Sequence, residues 1–281
     1  MFRQIIIGAA AVLGLASTAE ATVEISTTAH GLVSNVRVVG QPLTLIGPVA
    51  PIIGRTSPGY SLNNSDASLA ASVGLGTVSG VTATLGLNSG AMATAASANG
   101  TTPLDTSSGS ASAVVNTLDI RLVTSLLGVP TSILSLTAGQ VQSLTSVNKA
   151  GGFTTLSGQA ILSSLNLSVR GTPFLTLGSN AQVAPNFVAY DLGGLKVTLN
   201  QQFASKFDNT RVLITNAIGI SFTNYLLDGR SLSGSITVGQ SLAEFMDSSG
   251  DPVPEPASWA QMLAGFGLAG AAARCRRALR A

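Results

Sequence analysis

"VLITNAIGISF", residues 212–222, places Val212, Ile214, Ile218, Ile220 and Phe222 at alternate positions, interrupted by Asn216. Successive side chains of an extended chain point to opposite sides, so a period of two is the mark of a strand with one buried face. The same alternation occurs on either side. In "LKVTLN" (195–200), Leu195, Val197 and Leu199 alternate with Lys196, Thr198 and Asn200. In "LNLSVR" (165–170), Leu165, Leu167 and Val169 alternate with Asn166, Ser168 and Arg170, and "GSITVGQ" (234–240) sets Ile236 beside Val238. Gly, Asn and Asp fall between these runs, as turn residues do. "NQQFASKFDNT" after Leu199 and "LDGR" before Ser231 read as connections.

Antiparallel strands with irregular spacing predict a mainly β domain, a sandwich or jelly-roll of two sheets. A β-solenoid is the alternative, weakened because no fixed repeat period is evident. "LDIRLVTSLLG" (118–128) is a candidate helix and "TAGQVQSLTSVN" (137–148) a second, although their β-branched residues argue against both. Residues 57–110 are rich in Gly, Ala, Ser and Thr with few bulky side chains, which predicts short strands with long exposed loops or a partly flexible surface.

Composition narrows the function classes. Only 9% of the 281 residues are charged and 5% aromatic, unlike a helix-rich cytosolic enzyme. The whole-chain pI near 9.0 comes from the ends. Removing residues 1–21 and 257–281 leaves 9 bases against 11 acids, so the middle is slightly acidic. It offers no basic face to neutralise phosphates, and nucleic acid is excluded as a partner. The single cysteine, Cys275, lies near the C-terminus, so residues 22–250 fold without a disulfide.

Both ends read as addresses. Residues 1–21 combine Arg3, an apolar run from Ile5 to Ala16, and Ala19-Glu20-Ala21, where Ala19 and Ala21 satisfy the small–x–small rule of a signal-peptide cleavage site. The exported domain is then expected at 22–250. Pro252, Pro254 and Pro256 make residues 251–256 extended, since each fixes φ and lacks an amide hydrogen. Residues 257–273 hold no formal charge and, at 1.5 Å per residue, reach about 25 Å, the lower limit for a membrane helix. Arg274, Arg276, Arg277 and Arg280 in the tail 274–281 act as a stop-transfer cluster that stays in the cytoplasm, and Trp259 suits the membrane interface.

Pro254-Glu255-Pro256, followed after two residues by Trp259-Ala260, the apolar helix and the arginines, resembles the PEP-CTERM sorting signal in its PEPxxWA subtype. The resemblance implies recognition by exosortase, an integral-membrane cysteine enzyme of Gram-negative bacteria that make exopolysaccharide. It makes Pro254, Glu255, Pro256, Trp259 and Ala260 recognition residues on the substrate, and it implies transient inner-membrane insertion before release to the cell surface or medium. The middle of the chain, around "GGLKVTLN", "TNAIGISF" and "LSGSITVGQS", is similar in texture to exported choice-of-anchor domains.

Residues for catalysis are scarce. His30 is the only histidine and no G-x-S-x-G accompanies it, so a structural role is expected. A lone His without exported Cys makes no zinc site, and no D-x-D-x-D-G loop suggests calcium. Asp191, Asp208, Asp228 and Glu244 are the candidates for a hydrolytic pair, better read as exposed loop acids. No catalytic residue, metal or cofactor is expected. The sequence predicts a surface or matrix exoprotein with a structural role, with exopolysaccharide as an expected partner. A polysaccharide- or surface-binding adhesion module is the alternative, marked by an exposed polar groove or a calcium site. A secreted hydrolase is less favoured.

Overall fold

The structure, a computed structural model, describes residues 23–38, 41–55, 59–78, 80–99, 106–150 and 153–247. The signal segment with Ala19 and Ala21, the proline-rich motif, the 257–273 helix and the arginine tail lie outside the described residues.

Among the described residues the chain forms strands joined by turns and no helix. In order they are β1 (Val23–Val38), β2 (Gln41–Val49), β3 (Ile52–Arg55), β4 (Tyr60–Asp66), β5 (Leu69–Val78) and β6 (Val81–Ser89). Then come β7 (Met92–Asn99), β8 (Thr106–Leu126), β9 (Val129–Ala150), β10 (Phe153–Ser163), β11 (Asn166–Val169) and β12 (Thr172–Thr176). The last are β13 (Ala181–Gln182), β14 (Phe187–Leu192), β15 (Leu195–Phe207), β16 (Thr210–Leu227) and β17 (Arg230–Asp247).

Two sheets result. The first runs β14-β15-β16-β17-β1-β2, with β3 also on β1. The second runs β12-β11-β9-β8-β6-β5; along the other half of β8 and β9 the neighbours are β7, then β4, on one side and β10 on the other. The sheets face each other across one main core, where Leu199, Ile218 and Val238 of the first join Leu87, Leu118 and Leu136 of the second. The pairings are antiparallel, as in a sandwich; a solenoid would stack parallel rungs.

Both candidate helices are strands. "LDIRLVTSLLG" lies mostly in β8 and "TAGQVQSLTSVN" in β9. Leu118, Ile120 and Leu122 are buried at alternate positions of β8, and Val141, Ser143, Thr145 and Val147 at alternate positions of β9. "NQQFASKFDNT" is also mainly strand: β15 continues to Phe207 and pairs with β16 down to Thr210. "LDGR" does hold a turn, at Asp228-Gly229.

The 212–222 stretch does not keep one face. Leu213, Thr215 and Ala217 point inward, then Ile218, Ile220 and Phe222 do, so Val212 and Ile214 lie on the other side from Ile218. The switch sits beside Asn200 of β15 (φ 49°) and Gly239 of β17 (φ 60°), whose left-handed backbone interrupts the pleat. The second sheet switches likewise: Val115 and then Leu118 are buried, with Thr117 between them at φ 44°.

The two switch points repeat one pattern. Asn116, Leu118, Ile120, Thr137, Gly139 and Gln140 correspond to Asn216, Ile218, Ile220, Thr237, Gly239 and Gln240, each pair one hundred residues apart. Asn116 accepts from Gln140 Nε2 at 3.1 Å, and Asn216 accepts from Gln240 Nε2 at 2.9 Å while donating to Gln201 Oε1 at 3.0 Å. Asn216, which breaks the apolar alternation, is thus the centre of an amide ladder. Such ladders meet amide hydrogen-bonding demand where the pleat is disturbed.

Side chains close the gaps between the sheets. Asp66 accepts from the Ala50 amide at 2.9 Å, and Thr27 and Tyr60 share a hydroxyl bond of 2.7 Å. On the opposite seam, Gln202 and Arg211 donate to the carbonyls of Gly158 and Thr154. Phe174 meets Tyr190 edge-to-face at 4.9 Å. Arg230, buried at 6% exposure, donates to the carbonyls of Leu75, Gly76 and Val81. These contacts occupy backbone groups that open strand edges would otherwise leave free.

Ile25 packs with Ala243 and Phe245, so β1 begins and β17 ends at the same end of the sandwich. The two-residue turns Leu127-Gly128, Arg170-Gly171, Gly193-Gly194 and Asp228-Gly229 lie at the other end.

Candidate functional site

Where it is described, the Gly/Ala/Ser/Thr-rich region is mostly strand, β4 to β7 and the start of β8, with short turns at Ala67-Ser68, Gly80 and Gly90-Ala91. Its small residues have a packing reason. Ala96, Ala98, Ala111 and Ala113 are buried, and a Cβ on Gly109 would collide with Ile25 of the facing sheet. The sheets approach closely here and larger side chains would force them apart.

The outward residues of the same strands are aligned by register. Ser61 of β4 pairs Ser97 of β7, Ser97 pairs Ser110 of β8, Ser110 pairs Ser146 of β9, and Ser146 pairs Ser157 of β10. This is an unbroken serine row across five strands. Interstrand spacing puts its members about 4.8 Å apart. Ser97 and Ser110 share a bond of 3.0 Å, and Ser146 and Ser157 one of 2.7 Å. On one side of it runs Asn99–Ser108–Asn148–Thr155, and on the other Asn63–Ala95–Ser112–Leu144–Gln159.

None of these residues is charged, and two shallow grooves open among them. One, of about 370 Å³, is lined by Asn63, Asn64, Ser65, Thr94 and Ser112 with neighbouring Ala and Val. The other, of about 260 Å³, is lined by Ser97, Asn99, Ser108, Ser110, Ser146 and Asn148 among others. The face can donate and accept hydrogen bonds through hydroxyls and amides, and of the residues in these rows only Leu144 is large and apolar. Sequence reading missed this row because its serines are spread from 61 to 157 and only pairing aligns them.

The acids of the hydrolase reading do not gather. Asp208 and Asp228 occupy the turns at opposite ends of β16, Asp191 is ion-paired to Lys196 at 3.4 Å, and Glu244 faces outward opposite Val212. Among the described residues no three His, Cys, Asp or Glu side chains cluster to hold a metal. His30 is half-buried on β1; burial lowers its pKa, and its Nδ1 has no hydrogen-bond partner. Burial raises the Tyr60 pKa, opposed by its bonds to Thr27.

Comparison with protein families decides the C-terminus. Residues 252–277 match the PEP-CTERM protein-sorting motif. The PEP-CTERM segment contains Pro254, Glu255, Pro256, Trp259, Ala260, Arg274, Arg276 and Arg277, with Arg280 beyond it. It marks an exported protein that is sorted and processed by an exosortase-type membrane enzyme, with transient membrane anchoring. No curated protein matched the chain. Among solved structures, a Pseudomonas aeruginosa FadL homologue aligns at 8% identity over 82% of this chain and 91% of its own, with a TM-score of 0.16. The translocator domain of autotransporter NalP from Neisseria meningitidis aligns at 10% identity over 82% and 90%, with a TM-score of 0.13. Scores this low carry no argument about this fold.

Proposed function

We propose that this is a cell-surface or extracellular-matrix protein of a Gram-negative bacterium, released by cleavage near the PEP-CTERM segment and acting structurally, by its surface rather than by turnover. Its exported domain is residues 22–250, and it contributes to an exopolysaccharide matrix or biofilm. Pro254, Glu255, Pro256, Trp259 and Ala260 are the residues the processing enzyme reads; Arg274, Arg276, Arg277 and Arg280 hold the tail in the cytoplasm until cleavage.

The observation that carries the matrix role is the serine row from Ser61 to Ser157. Its repeat of about 4.8 Å is close to the length of one pyranose ring, so a linear glycan lying across the strands would meet a hydroxyl at each sugar. The lack of charge favours a neutral polymer over a uronic-acid or phosphate-bearing one. Without aromatic platforms, each contact is a hydrogen bond exchanged against water and therefore weak. Retention then depends on many sugars bound in series, which suits a matrix component better than a soluble-sugar receptor.

Intact mass of cell-bound and released protein from the native host tests the processing. A released species beginning at Thr22 and lacking 257–281 is expected; release of a species retaining those residues overturns it. Cosedimentation of the released domain with the host's neutral exopolysaccharide tests the matrix role, and failure to cosediment at any polymer concentration refutes it.

A further inference from the structure

The β8–β9 turn presents Leu126, Leu127 and Val129 to solvent at 53%, 88% and 67% exposure. Leu127 has φ 49° and Gly128 φ 85°, so both central residues of this two-residue turn are left-handed. Asn-Gly or Asp-Gly is the usual occupant, because a branched side chain gains nothing from that backbone and meets steric strain in it. Leu126 and Val129 form the last rung of the hairpin. The tip therefore holds three contiguous apolar side chains, one of them in a strained position, and no charge.

The backbone does not demand this. The β16–β17 turn, which follows the matching switch point one hundred residues later, carries Asp228 (φ 48°) and Gly229 (φ 80°) in the same conformation. There the turn residue is polar, and Arg230 beside it is folded inward onto the Leu75, Gly76 and Val81 carbonyls. Two equivalent hairpins thus end differently, one in Asp-Gly-Arg and the other in Leu-Leu-Gly-Val. Strain and apolar exposure kept together at one tip point to a contact made there.

We propose that the β8–β9 tip inserts shallowly into the surface of a bilayer containing anionic phospholipid. The tip itself presents only three apolar side chains, well short of the roughly 1,000 Å² that a stable protein interface buries. A fluid lipid surface adapts to such a wedge and accepts Leu and Val at the depth of the upper acyl chains. Exposed Arg170 stands on the adjoining β11–β12 turn, its backbone amide bonded to the Ile133 carbonyl of β9, and adds a cation at headgroup level. The tip lies at the end of the sandwich away from Ile25 and Phe245.

The apolar C-terminal segment would itself bind vesicles, so the test must read the tip locally. The full chain with Cys275→Ser and Val129→Cys, labelled at the new thiol with an environment-sensitive fluorophore, is mixed with phosphatidylglycerol/phosphatidylethanolamine vesicles. A blue shift with a several-fold rise in intensity is expected. The same label at Asp208→Cys, at the other end of the domain, should not respond. Adding Leu126→Asn and Leu127→Asn, the latter suited to left-handed φ, should weaken the response at least tenfold while leaving the circular dichroism spectrum unchanged. A silent label at 129, or an undiminished response in the asparagine variant, overturns the proposal. A label that responds to protein concentration without vesicles also overturns it, by identifying the tip as a contact between copies. An equal response to pure phosphatidylcholine vesicles removes the anionic requirement and with it the role of Arg170.

Discussion

Thr145 of β9 and Ser241 of β17 share a buried hydroxyl bond of 2.7 Å across 96 residues of sequence, and the Thr145 hydroxyl also lies 3.1 Å from the Ser241 carbonyl. The pair joins the two sheets inside the sandwich, where water cannot replace either partner. Thr145→Val keeps the shape but leaves the Ser241 hydroxyl unpaired, and should cost about 1–3 kcal/mol. Ser241→Ala combined with it should cost less than the sum of the single changes, because the orphan is removed too. Urea denaturation of the four species measures the difference.

Arg230 fastens the β16–β17 turn to the β5–β6 hairpin through three carbonyls and no carboxylate. Arg230→Lys cannot reproduce a planar fork with two nitrogens engaged, and should lower stability by roughly 2–3 kcal/mol. At about 2–4 °C per kcal/mol for a domain of this size, calorimetry resolves the shift. Lysine matching wild type would mean that charge alone suffices.

Gly234 of β17 has φ 126°, and a Cβ there would collide with the Asn35 carbonyl oxygen and the Val36 Cα of β1. Those atoms are backbone and cannot swing aside. Gly234→Ala should therefore destabilise by more than about 3 kcal/mol, in the range of severe core overpacking. Gly86→Ala, whose nearest neighbour would be the Arg121 carbonyl at 3.9 Å, should be neutral to within about 1 kcal/mol.

His30 supplies a pH dependence. Burial lowers its folded-state pKa below the ordinary 6.5, so the unfolded chain binds the proton more readily. Its contribution is fully present above pH 6.5 and is lost as pH falls through that value toward the lower folded pKa. A melting temperature that drops between pH 7.5 and 5.5 is expected, and His30→Gln should flatten that part of the profile. It is the only histidine, so no other imidazole can mask the change.

Ser110 sits at the middle of the serine row. Ser110→Arg places a bulky cation on a face of small neutral groups, and should abolish cosedimentation with neutral polysaccharide. The melting temperature should stay within about 2 °C, as for other surface substitutions. Undiminished binding would move the contact elsewhere.

The strand alternation around 165–170, 195–200 and 212–222 was legible because pleat geometry writes itself into local spacing. So was the PEP-CTERM segment, since an enzyme reads it as linear sequence. Two long strands, β8 and β9, could be mistaken for helices: Leu118, Leu122 and Leu126 recur at a helix-like spacing of four although burial alternates strictly from Leu118 to Thr124, and in β9 the alternation changes phase at Gly139. Asn216 likewise read as an interruption until pairing set it between Gln201 and Gln240. The serine row and the facing turns Leu127-Gly128 and Asp228-Gly229 depend on which strands lie beside each other, and long-range register decides that. The sequence alone determined the β-rich chemistry and the address. Tertiary structure alone decided which hydroxyls share a row and which leucines are left outside, because neighbours across a sheet are set by hydrogen-bond pairing between segments far apart in the chain.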